Sequence, residues 1–76
     1  MRDYAENILS GVVKTLTDTR KAKGLSHEAL AQKAGITRPA ISHIESGKRK
    51  PTLIVCLRIA KALDLNLWEV IKKIDV

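Results

Sequence analysis

SHEALAQKAGITRPAISHIESG, residues 26–47, reads as two short helices joined by one tight turn. Ser26 has the short side-chain oxygen that accepts a backbone N–H one turn ahead, so it is expected as an N-cap. Leu25 before it and Leu30 in the next turn have the spacing of a hydrophobic staple. Leu30 and Ala34 share one face at i, i+4, while Glu28, Gln32 and Lys33 fall on solvated faces. Gly35 then ends the first helix, because a left-handed ending is cheap only without a Cβ. The pattern restarts at once with Thr37 as a second N-cap and Ile36/Ile41 as its staple. Pro39 lies in the first turn, where its missing N–H costs nothing. Ile41 and Ile44 form the inward stripe, and Gly47 closes the helix. Ala31 is small where the two helices would cross. Capped helices separated by Gly-Ile-Thr make a helix-turn-helix. Its second helix leaves Arg38, Pro39, Ser42, His43 and Ser46 outward; Arg38, Ser42 and His43 carry donors and acceptors of the kind that read base edges in a major groove.

The charge is distributed to match. The chain of 76 residues carries a net +6, and residues 20–50 alone hold eight basic and two acidic side chains. The whole excess therefore lies on the helix pair and its flanks, as a phosphate backbone requires. Around this segment, Tyr4 to Lys23 is expected as a first helix with Ile8, Val12 and Leu16 on one face, its first half weakened by Gly11. Thr52 caps a fourth helix in which Leu53, Val55, Leu57, Ile59, Ala60 and Leu63 are candidates for burial, and Asp64 stops it. Asn66 caps a fifth, with Glu69 as capping-box partner and Leu65/Val70 as staple. In that helix Leu67, Val70, Ile71 and Ile74 can feed the core, with Trp68 at its edge. The expected fold is all-α, a compact five-helix single domain over residues 1–76 with an aliphatic core, since the chain has one Trp, one Tyr and no Phe.

RKAKGLSHEALAQKAGITRPAISHIESGKRKP at 20–51, with LRIAKAL at 57–63, resembles the lambda-repressor/Cro-type (XRE-like) helix-turn-helix family over about residues 12–72. Its small stand-alone members include restriction–modification controller proteins and phage repressors. The resemblance implies a homodimeric transcriptional regulator in which the third helix, about 38–46, reads the major groove of a pseudo-palindromic operator. Base contacts then fall to Arg38, Pro39, Ser42 and His43, and phosphate contacts to His27, Thr37, Lys48 and Arg49. Arg20 and Glu45 match a structural ion pair between the first and third helices. The dimer is implied to pair through the last helix, at Leu67, Trp68 and Ile71. Four positions depart from the family pattern: His27 replaces a usual Gln, Pro39 a residue that often hydrogen-bonds, Thr19 a common Leu and Asp64 a common Gly.

Other chemistries find little support. His27 and His43 stand sixteen positions apart with one distant cysteine, so no zinc spacing exists and no metal or cofactor is expected. Carboxylate pairs, nucleophile–base arrangements and phosphate-cradling glycine loops are lacking, so no catalytic residue is assigned and enzymatic activity is not expected. Cys56 is expected as a small buried hydrophobe, and a lone cysteine suits the cytoplasm. No stretch has transmembrane length, and the amino end lacks a signal-peptide pattern. Protonation of His43 is expected to make DNA affinity fall as pH rises. The alternative reading is an antitoxin-like module that binds a partner protein, with DNA binding secondary; its mark would be an exposed apolar patch on the fourth or fifth helix beyond what dimerisation covers.

Overall fold

Capping chemistry sets where each element begins. The computed structural model describes residues 3–75, which form five helices and no strand: α1 (Tyr4–Ala22), α2 (His27–Ala34), α3 (Arg38–Glu45), α4 (Leu53–Ala62) and α5 (Leu67–Ile74). Asp3, Ser26, Thr37 and Thr52 each accept the backbone N–H three residues on, at 2.8, 3.0, 3.3 and 3.2 Å. Asn66 departs from the capping-box expectation: it accepts from Trp68 N at 2.9 Å rather than from Glu69. Its ψ of 113°, against 154–173° at the other four caps, turns the short amide toward the nearer N–H.

The staples close as their spacing requires, with Leu25, Ile36 and Leu65 half-buried over buried Leu30, Ile41 and Val70. Helix α2 packs on α3 and α4, α1 on α3 and α5, and α4 on α5. The core they enclose contains Val12, Leu16, Leu30, Ala31, Ala34, Ile41, Ile44, Cys56, Ile59, Ala60, Leu63, Leu67 and Val70. Leu30, Ile41 and Leu63 are essentially without solvent contact; each contributes about 1.5–3 kcal/mol through burial. Burial also pushes the Cys56 thiol up, which makes it an inert core atom.

Packing decides three points. Helix α1 runs unbroken through Gly11, whose missing side chain lets α5 cross closely: a Cβ there would stand 2.8 Å from Cγ2 of Ile74. Leu53 and Leu57 are not core residues but are 66% and 49% exposed: Leu53 is the first residue of α4, and Leu57 lies at the flank of the inward stripe Cys56, Ile59, Ala60 and Leu63. Leu67, which the helical stripe offered to the core and the resemblance to a dimer interface, is buried in the core.

Candidate nucleic-acid interface

The turn between α2 and α3 fixes how α3 is presented. Gly35 has φ +71°, and Ile36 N donates to Ala31 O at 3.0 Å, closing α2 in a left-handed turn and reversing the chain. Ile41 and Ile44 then anchor α3 by its inner face. On the outer face Arg38, Pro39 and His43 are exposed and Ser42 is half-buried. The four expected base readers thus lie on one helix, held from behind by two buried isoleucines.

The expected phosphate holders gather at both ends of α3. Thr37 caps its start. Past its end, Gly47 at φ +82° folds the chain back, and the N–H groups of Lys48 and Arg49 both donate to His43 O, at 2.9 and 3.2 Å. Their side chains are exposed beside the reading helix. Among the described residues Arg38, Lys48 and Arg49 have no carboxylate partner, whereas Lys14 pairs with Asp18 at 2.9 Å. Unpaired cations at both ends of an outward helix make a surface suited to a polyanion.

A charged cluster holds this helix to the rest of the molecule. Arg20 donates from Nε and Nη2 to the two Glu45 oxygens at 2.7 and 2.9 Å, and from Nη1 to Leu25 O at 2.7 Å. One guanidinium therefore joins α1, the loop before α2 and the end of α3. His27 completes the cluster, its Nε2 lying 3.0 Å from Glu45 Oε1. Burial pushes the Glu45 carboxyl up, but the hydrogen bonds from Arg20 and His27, with the Arg20 charge, outweigh it and hold the group below the usual carboxylate range. The bond to Glu45 likewise raises the Arg20 guanidinium. Sequence spacing alone did not reveal the His27–Glu45 contact, which joins positions 18 apart.

Of the expected interface residues, Trp68 is 63% exposed and Ile71 half-buried. The apolar surface that sequence reading missed is on α4, where Leu53, Ile54 and Leu57 project at i, i+1 and i+4. Helical period alone could not have shown it, since Leu53 stands at i, i+3 to Cys56 and at i, i+4 to Leu57.

Residues 16–67 match the family model described as Helix-turn-helix. The chain belongs to the helix-turn-helix family. It is 44% identical over 48 residues to an uncharacterized HTH-type transcriptional regulator of Methanothermobacter thermautotrophicus, an alignment spanning 63% of this chain and 70% of that one. The restriction-modification controller protein C.AhdI of Aeromonas hydrophila superposes with a TM-score of 0.73 at 36% identity, covering 88% of this chain and 98% of the other. The wild-type controller protein C.Esp1396I gives a TM-score of 0.78 at 28% identity, covering 99% and 96%. The helix-turn-helix chain is a DNA-binding transcriptional regulator by this membership, not an enzyme. No helix among the described residues is long and apolar enough to cross a membrane.

Proposed function

We propose that the chain is a sequence-specific regulator that binds a pseudo-palindromic operator as a homodimer, with α3 of each protomer in the major groove. The observation that carries this reading is the outward row Arg38, Pro39, Ser42 and His43, with the unpaired cations of Lys48 and Arg49 tied to the same helix through His43 O. Arg38 supplies the bidentate donors suited to guanine, and Pro39 an apolar contact suited to a thymine methyl. Thr37, Lys48, Arg49 and His27 hold phosphates, which set register without reading sequence. The exposed Leu53, Ile54, Leu57 and Trp68 supply the apolar surface that pairs two protomers, in place of the buried Leu67. The likeness to restriction-modification controller proteins makes control of such a system the favoured setting.

Selection from a randomised duplex library, followed by sequencing, tests the proposal. A two-fold motif with half-sites about 10–11 base pairs apart, or a multiple, is expected. Arg38→Ala then loses about 1–3 kcal/mol and relaxes one position, while Lys48→Ala weakens all sequences alike and lowers the salt slope by about one. Binding without enrichment would overturn sequence-specific recognition and favour a module whose main partner is a protein.

A further inference from the structure

His27 occupies the first turn of α2, and its ring lies between the recognition helix and solvent. Nε2 stands 3.0 Å from Glu45 Oε1, the side chain is 31% exposed, and Nδ1 has no hydrogen-bond partner among the described residues. Glu45 also accepts two bonds from Arg20 of α1, and Arg20 and Glu45 are only 10% and 14% exposed. These are the charged groups facing the ring from α1 and α3; on its own helix the exposed Glu28 follows it.

The chemistry of this contact restricts the imidazole. An ionised carboxylate only accepts, so Nε2 must carry a proton in both the neutral and the charged ring. The neutral ring therefore presents a bare lone pair at Nδ1, which repels a phosphate oxygen. Only the imidazolium has an N–H there. We infer that His27 holds a DNA phosphate solely as an imidazolium, Glu45 fixing its ring from behind, so that DNA binding takes up a proton at this residue. This rests on the DNA-binding surface proposed above and adds to it a proton-gated phosphate contact. Arg20 and Glu45 are neutral as a unit, so the phosphate brings the net negative charge that the imidazolium meets. The usual glutamine of the family has an amide donor at any pH, and the histidine makes that contact conditional.

The test uses a random-sequence duplex, because a phosphate contact does not depend on bases. Fluorescence anisotropy at constant ionic strength follows affinity from about pH 6 to pH 8, the interval in which histidine ordinarily changes charge. The wild-type chain should lose more than about tenfold in affinity across this interval, short of the ~hundredfold limit that release of one proton sets over two pH units. His43→Gln should keep that loss. His27→Gln, which retains an amide donor for Glu45, should bind with a flat profile, and circular dichroism should show its helices intact. Calorimetry in two buffers of different ionisation heat should show proton uptake in the wild type that His27→Gln abolishes. A flat wild-type profile, or a slope that survives in His27→Gln, would overturn the inference while leaving DNA binding in place. Loss of the slope in His43→Gln alone would move the proton to the base-facing histidine and overturn it equally. No binding at any pH and low salt would instead overturn the DNA-binding surface itself.

Discussion

Arg20 and Glu45 show how one pair of side chains fixes the angle of α3. The guanidinium makes a bidentate bond to a carboxylate that is nearly enclosed, with side-chain exposures of 10% and 14%. Such a pair adds modest net stability when intact but leaves a costly charge when broken. Arg20→Ala should lower the unfolding free energy by about 3–5 kcal/mol, measured by urea denaturation. Replacing both partners by Met and Leu should cost far less, because no buried charge remains. The same pair sets an acid limit. The Glu45 carboxyl is held below the usual range in the folded protein, so its stabilisation is present above the unfolded value of about 4.3 and lost as pH falls through the depressed one. Thermal midpoints followed down through that interval should fall steeply in the wild type and less steeply in Glu45→Gln, although the Glu45→Gln curve lies lower throughout.

Helix endings decide the geometry at the scale of the element. Asp64 is the one non-glycine residue with positive φ among the described residues, at 59°. It closes α4 in a Schellman motif, in which Leu65 N donates to Ala60 O at 2.8 Å and Asp64 N to Lys61 O at 3.0 Å. The family's common glycine takes that conformation without Cβ strain. Asp64→Gly should therefore raise stability by about 1 kcal/mol, seen as a higher urea midpoint at unchanged slope. The ion pair it would forgo, Lys23 Nζ to Asp64 Oδ2 at 3.9 Å, is solvent-exposed and offsets little of this gain. Loss of stability in Asp64→Gly would show that the aspartate makes a stronger contact than strain relief recovers.

For the whole molecule, charge and apolar surface divide between two tasks. The basic excess of residues 20–50 accompanies α3 and its flanks, while the large exposed apolar side chains are on α4, on α5 and at Tyr4. Leu57 is half-exposed, so Leu57→Glu should leave helicity nearly unchanged, with the urea midpoint lowered only by the loss of pairing. It should nevertheless convert dimers to monomers in sedimentation and weaken operator binding, since a charge on a paired apolar face must be desolvated. A Leu57→Glu chain that stays dimeric would place the interface elsewhere.

The sequence by itself determined where helices start, stop and turn, because those events depend on groups three to five residues apart. Ser26, Thr37 and Thr52 cap as their side chains demand, and Gly35 makes the turn that only a missing Cβ makes cheap. The inward faces of α2 and α3 were legible for the same reason: Leu30, Ile41 and Ile44 follow the helical period from fixed starting points. The row of outward residues on α3 follows from that period. Tertiary structure alone decided which elements meet. Helical period sets Leu53 near both Cys56 and Leu57, so only packing of α4 on α2 and α5 selects the buried face. Gly11 reads locally as a weak point, yet its purpose emerges only where Ile74, 63 positions later, crosses it. The bond from His27 to Glu45 likewise depends on the crossing of α2 and α3, since local periodicity orders side chains around an axis and says nothing of where two axes cross.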